Sequence, residues 1–525
     1  VMRSALLLFV ALAPVAFAAH SIVDFGAVAG DSSSDACQKN SLALLHALQA
    51  ANASATDRTV LVPAGAEYTF FNVSVTGLTD VELVIDGTLK ISDDVTNPHW
   101  SRQDNDGGGF GALYFSWCHG LTFRGAGTID GQGYRWWWHV ILTSHDYRPH
   151  MLVVDKSTDI TITDLRLLNS PQFHVRLQDV RDVYIARVDI HVDVGRQASL
   201  LRGAGLWSAA PARPDLSASA PAAAAPAPAS ALGLASSLAS LVEQVGSSAE
   251  RLLEDFAVPV EHRERSRRAL KSSDWSNQTS PLERFFETFG VPTFPLNTDG
   301  IDPSGVNVTI EDCSITNFDD AVAVKPGNQG HVFAKCAQDM VVRRVRVRYG
   351  VGMTIGSVPP NTGTNCVRNI TFEDIEFDTP IKAIYIKSNP GTRGSGIVQG
   401  ITYRNVVGRH PLWYPIWIGP QQQRQPGTQG TGCSFLYPIV DQCPTQPRVT
   451  MDDIQLHNVT FQGGLTLPGV LLGNETNPYT RMRFHDVHNT GMWLVSFSYA
   501  SQNVQGMATG KTYPVPDGLE DKTEW

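Results

Sequence analysis

Short strings in which apolar residues alternate with polar ones recur along the chain: Leu121-Thr-Phe123, Ile160-Thr-Ile162, Val183-Tyr-Ile185, Val308-Thr-Ile310, Val342-Arg-Arg344, Ile370-Thr-Phe372 and Ile401-Thr-Tyr403. This is the period of a half-buried strand. Several are spaced by about 22 to 32 residues, the length of one coil of a solenoid. Between them lie second strings: Phe173-His-Val-Arg-Leu177, Ala321-Val-Ala-Val324, Met353-Thr-Ile355, Ile384-Tyr-Ile386 and Ile416-Trp-Ile418. Each repeat thus holds several short strands and no evident helix. The pattern predicts an all-β chain folded as a right-handed parallel β-helix, whose coils bury their apolar residues against the coils above and below. A β-sandwich would need tight hairpins at shorter intervals, and Asn-Gly, the strongest hairpin dipeptide, is absent. One helical stretch, Asn40 to Ala50, precedes the coils and is expected to cap the N-terminal end of the core.

Composition then divides the chain. Residues 1–18 contain Met2-Arg3, an apolar run and Ala16-Phe-Ala18, the form of a secretory signal peptide. Seven Asn-x-Ser/Thr triplets, at Asn52, Asn72, Asn277, Asn307, Asn369, Asn458 and Asn474, agree with a secreted, glycosylated protein. Seven cysteines would be oxidised there, with Cys433 and Cys443 the easiest pair to close and one thiol left over. Residues 19–194 read as the first part of the solenoid. Residues 195–288, mostly Ala, Pro and Ser from about Ser208 to Ala231, read as a disordered insertion with one amphipathic helix beyond that stretch. Residues 289–504 read as the second part of the solenoid, and 505–525 as a tail. A net charge of −10 argues against nucleic acid. No run after the signal is long enough to span a membrane, and a monomer is expected.

The chemistry concentrates in Asn297-Thr-Asp299-Gly300-Ile-Asp302 and, one strand-and-turn unit later, Asp319-Asp320-Ala-Val-Ala-Val-Lys325. If the chain returns to the same sheet edge, Asp299 comes to lie beside Asp319 and Asp320 at roughly the 4.8 Å spacing of neighbouring strands. A lone Asp at a strand end is usually a turn residue. Three stacked together suit acid–base work, because neighbouring negative charges disfavour one another's ionisation and keep a proton in the cluster.

These segments, with Gly352-Met-Thr-Ile-Gly-Ser357 and Ile384-Tyr-Ile-Lys387, resemble in order and spacing the polygalacturonase family of glycoside hydrolases, family 28. Gly125 to Gly133 with Trp136-Trp-Trp138, Asn169-Ser-Pro-Gln-Phe-His174, Asp24-Phe-Gly-Ala27 and Val62-Pro-Ala-Gly65 are similar to that family too. The resemblance implies a pectin-lyase-like solenoid, a pectic substrate and hydrolysis of a galacturonosyl bond with inversion. It makes Asp319 the general acid, with Asp299 and Asp320 activating water, and no metal or cofactor is implied. Inversion requires carboxyl groups roughly 6.5 to 9.5 Å apart. Lys387 is expected to meet a substrate carboxylate; Lys325, Tyr385, Asn297 and His174 are further candidates for substrate binding.

Two positions depart from the family pattern. Val351 stands where the family has His, and Tyr385 where it has Arg, so a bidentate carboxylate fork is replaced by an aromatic face. Both changes concern substrate contacts, which shifts the expectation toward methylated, xylosylated or rhamnose-containing pectin. A lyase or a pectin-binding wall protein without catalysis would occupy the same fold. Trp136 to Trp138, Trp413 and Tyr414 read as sugar platforms or as core. Arg344, Arg346 and Arg348, alternating with Val345, Val347 and Tyr349, read as a solvated outer ladder.

Overall fold

The computed structural model describes residues 19–100, 110–143, 146–193, 297–423, 432–434, 437–438, 440–464, 466–490 and 498–524. The expected signal peptide and the insertion 195–288 lie outside the described residues. Within them the chain is a parallel β-helix of 30 strands. Leu121, Ile160, Val183, Val308, Met340, Ile370, Ile401 and Ile454 stand in register on successive parallel strands. All eight are buried, and together they form one rung-by-rung apolar column. Met340 holds the place expected for Val342. Val342 also points inward, but one alternation later, opposite Ile310, a shift that period-two reading alone does not resolve. A second column, Val175, Ile301, Val322, Met353, Ile384 and Ile416, runs along another face.

The coil corners explain why Asp and Asn are scattered between these strings. Asp159, Asp182, Asn307, Asp339 and Asn369 each directly precede a residue of the first column, with φ of 58, 58, 58, 57 and 49°. That left-handed region is tolerated by Asp and Asn better than by other residues with a Cβ. The corner side chains also bond from coil to coil: Asn307 Nδ2 donates to Asp182 Oδ1 at 2.7 Å, and Asn369 Nδ2 to Asp339 Oδ1 at 2.6 Å. The arginine stripe is an exposed ladder of ion pairs to neighbouring coils, Arg344 with Asp312 at 2.7 Å, Arg346 with Glu376 at 3.3 Å and Arg348 with Asp378 at 3.5 Å.

The N-terminal helix spans Ser34–Ala53, starting ahead of the predicted stretch because the Ser33 hydroxyl accepts from the Ala36 amide. It lays Leu44, Ala47, Leu48 and Ala51 on the end of the apolar column. A second helix, Gly133–Thr143, was not expected from the strand-rich pattern. Trp136 and Trp137 on it are buried, and Trp137 Nε1 donates to the carbonyls of Ser170 and Pro171, both at 3.1 Å. These two rings are packing, not open sugar platforms; the Trp138 side chain lies outside the described residues. The expected tail is also corrected. Val504–Gly510 pairs in parallel with Tyr479–Thr490, and Leu519–Thr523 pairs with Val504–Gly510, so the solenoid continues. Few of these residues are buried, which hides the strand period. Cys433–Cys443 is joined as expected and Cys336–Cys366 forms a second disulfide. Three buried thiols remain, not one: Cys37, Cys118 and Cys313.

The column should behave as a cooperative core. Phe372, fully buried and stacked on Tyr403 with ring centroids 4.7 Å apart, should cost about 3 to 5 kcal/mol when truncated to Ala. A lowered midpoint of chemical denaturation checks this.

Candidate active site

The register that builds the second column also builds the site. Ile301 pairs with Val322, which sets Asp299 and Asp320, each two residues upstream, at the same place on adjacent coils. Gly300 between them is required: a Cβ there would fall 2.3 Å from the Ala321 carbonyl oxygen. Asn317, fully buried, holds the two segments together, its Nδ2 donating to the carbonyls of Thr298, Asp319 and Asp320 at 3.0, 3.0 and 2.8 Å. Sequence reasoning missed Asn317, although its position two residues before the aspartate pair was a signal. One oxygen from each of Asp299, Asp319 and Asp320 lies within 4.8 Å of the others. Their nearest oxygens are therefore closer than the interval expected for inversion, because stacked coils set the distance.

Each carboxylate has different partners. Asp320 is buried, which opposes its ionisation, yet Lys387 and Lys325 more than offset that and hold its pKa below the usual range. Its Oδ2 accepts from Lys387 Nζ at 2.8 Å and its Oδ1 from Thr354 Oγ1 at 2.8 Å. Asp319 accepts from the backbone amides of Asn297 at 3.0 Å and Asp320 at 2.9 Å. Burial, and then the charge of Asp320, still push its pKa up. Asp299 is pushed well above the ordinary value by burial and by Asp302 and Asp319, with Lys325 3.8 Å away. Of the three, Asp319 is the least buried. Such a set titrates as a unit that retains a proton.

Asp302, part of the quoted motif but not singled out, belongs to the same cluster. It lies 3.2 Å from Lys325 Nζ, and burial raises its pKa to about 6 against the pull of Lys325. The two lysines supply the compensating charge. Burial disfavours their ammonium forms, but the surrounding aspartates raise both pKa values above the usual lysine value.

The expected substrate residues separate into two groups. Lys325, Lys387 and Asn297 stand at the cluster. His174 stands behind it, fully buried, with Nδ1 2.9 Å from the Asp299 carbonyl oxygen and Nε2 accepting from the Ser170 amide. Burial lowers its pKa to about 4, so it is a neutral strut for the Asp299 backbone. Tyr385 is only 3% exposed and packs edge-on against Trp417. Its hydroxyl donates to Gln423 Oε1 at 3.2 Å, and the ammonium groups of Lys382 and Lys387 lie 3.9 and 4.5 Å from its ring centroid. Val351 donates its amide to the Asp319 carbonyl at 2.8 Å. Tyr414 is buried beside Trp417 in the same aromatic group, with Trp413 partly buried against it.

The profile of one family, Glycosyl hydrolases family 28, matches residues 53–198 and 288–504, most of the chain. The chain belongs to that family. Among curated relatives of this family 28 protein, a probable exopolygalacturonase C of Aspergillus terreus is 35% identical over 147 residues, 27% of this chain and 31% of the relative. An endo-polygalacturonase of Pectobacterium parmentieri is 31% identical over 144 residues, 27% of this chain and 32% of the relative. The chain thus aligns with under a third of each of these relatives. Similar solved structures include an endo-xylogalacturonan hydrolase from Aspergillus tubingensis, at 17% identity and TM-score 0.51, covering 94% of this chain and 96% of that one. A polygalacturonase from Erwinia carotovora has 19% identity and TM-score 0.55, covering 88% of this chain and 92% of that one. At these identities the structures establish the family 28 β-helix fold.

The cluster's cost to the fold is measurable. A carboxyl whose folded pKa is raised contributes stability that is full below its unfolded value near 4 and is lost as pH rises through about 6. Asp302→Asn should therefore raise the denaturation midpoint at pH 7 and flatten its pH dependence between roughly pH 4 and 6. Denaturation series at several pH values read this directly.

Proposed function

We propose that this family 28 protein hydrolyses galacturonosyl bonds in pectin with inversion, as a secreted enzyme. One observation carries the reading: three carboxylates on adjacent coils share a site in which Asp320 is held ionised while Asp319 and Asp299 are pushed toward their acid forms. Acid–base hydrolysis needs that inequality, a proton to give and an anion to take one. Asp319, the most accessible, protonates the leaving oxygen. Asp320 and Asp299 hold a water, with the anion kept on Asp320 by Lys387. As that water adds to the anomeric carbon, its proton passes to the Asp299–Asp320 pair and the glycosidic bond breaks toward Asp319. Lys387 and Lys325, compact point charges, also meet a carboxylate of the sugar chain. The relatives named as polygalacturonases support the substrate class.

Asp319→Asn should reduce kcat on polygalacturonate by roughly 100- to 10,000-fold, measured as reducing-sugar release, with the fold intact by circular dichroism. An unchanged rate sinks the assignment of the acid. In the parent protein, activity should be lost as pH rises and Asp319 deprotonates, and lost as pH falls and Asp320 is protonated, giving a bell-shaped profile.

Stereochemistry is a separate test. The close oxygens resemble the shorter spacing of about 5 Å associated with retention, and the family resemblance implies inversion. Proton NMR during the first minutes of hydrolysis should show the product anomer opposite to that of the cleaved bond. Retention would require a covalent intermediate on one of these aspartates.

A further inference from the structure

Arg148 carries a buried guanidinium that the hydrolytic scheme does not use. Its side chain is 3% exposed, and it lies just ahead of the strand His150–Asp155. Its Nε and Nη2 meet the two oxygens of Asp146 at 2.8 and 2.7 Å, a two-point contact that fixes the plane of the fork. With the fork held, other donors reach two further segments. Nη1 donates to the Pro171 carbonyl at 3.2 Å, in the turn that leads to His174, and Nη2 to Asn297 Oδ1 at 3.1 Å, 149 residues along the chain. Burying a charge is costly, and Asp146, itself 33% exposed, could pair with an arginine at the surface. What burial adds is the reach to Pro171 and Asn297.

Asn297 lies ahead of the strand that begins at Ile301, and its φ is 58°. Asn tolerates that left-handed conformation without preferring it to extended backbone. In it the Asn297 amide donates to Asp319 Oδ2 at 3.0 Å. One residue thus has its side chain on Arg148 and its amide on Asp319, so holding the first fixes the direction of the second. The charged groups that act on Asp319 are Asp320, Asp299 and Lys387, with the titratable Lys382 and Tyr385 on the same floor. Lys387 and the amides of Asn297 and Asp320 favour the Asp319 anion, against burial and the charge of Asp320. None of these groups is altered when Arg148 is changed.

We propose that Arg148 is a positioning residue for the general acid: by holding the Asn297 side chain it keeps the Asn297 amide on Asp319 Oδ2. The proposal rests on the hydrolytic reading above and extends it to a residue that touches neither substrate nor carboxylate cluster.

The test is the pH profile of kcat on polygalacturonate, measured on the full chain. Once the Asn297 amide is released, Asp319 loses a donor to its anion and keeps its proton to higher pH. Arg148→Gln should therefore move the upper limb of the profile up by roughly 0.5 to 1 pH unit and lower kcat at the optimum roughly 10-fold, with KM changed by under about threefold. Asn297→Gly keeps the left-handed backbone accessible and the Arg148 charge in place, and should move the limb in the same direction. It also reads the link should Arg148→Gln fail to fold. The double variant should shift no further than the larger single shift. A parent-like upper limb in Asn297→Gly overturns the proposal. So does a double variant whose shift is the sum of the two, which marks a through-space effect of the charge, and so does an Arg148→Gln that lowers the Tm and leaves the limb in place. If Asp319→Asn keeps the parent's rate, the hydrolytic reading falls and this one with it; if it abolishes the rate while the other variants keep the parent's limb, only the role of Arg148 falls.

Discussion

Parallel coils stacked at strand spacing leave no space for a side chain between their backbones, and everything at the site follows from that. Gly300 marks the limit, since a single added carbon would press into the Ala321 carbonyl. Once Ile301 and Val322 are in register, Asp299 and Asp320 have no freedom to stand apart. Three carboxyl groups are thereby brought closer together than they would stand in water. The buried apolar columns supply the favourable term that holds them there.

The molecule meets this repulsion with ammonium groups and with backbone amides. Lys387 engages Asp320, Lys325 engages Asp302, and two amides engage Asp319. The compensation is uneven, and the unevenness differentiates residues of identical chemistry. Asp320 gains most, its pKa held below the usual range; Asp299, pushed well above that range by burial and by Asp302 and Asp319, gains least. His174 and Asn317 act one step further back by fixing the backbone on which the carboxylates sit.

Much of this was legible in the sequence because a solenoid turns linear spacing into stacking. Once Ile301 and Val322 are recognised as equivalent, Asp299 beside Asp320 follows almost mechanically. What stayed hidden has particular causes. Register within a strand escaped at Val342 because every second residue is apolar and a two-residue slip looks the same. The helix carrying Trp136 escaped because it interrupts a strand-rich repeat. Tyr385 and His174 were candidates for substrate contact because their residue types suit it, yet burial decides that question and burial depends on neighbours far away in sequence, such as Trp417 and Asp299. Asp302 was visible in the motif, but its membership of the cluster depends on where Lys325 points.

The coil corners have one further consequence. A corner Asn, an inward Val or Ile and an outward Thr spell Asn307-Val-Thr309, Asn369-Ile-Thr371 and Asn458-Val-Thr460. These are three of the seven triplets that look like acceptors for N-linked glycans. In each, the nitrogen to which a glycan would attach already donates to a neighbouring coil, at 2.7, 2.6 and 2.9 Å. A β-helix writes this triplet for reasons of backbone geometry. In such a chain, a count of glycosylation signals partly counts corners, and it is weaker support for passage through a secretory pathway than the same count in an ordinary fold.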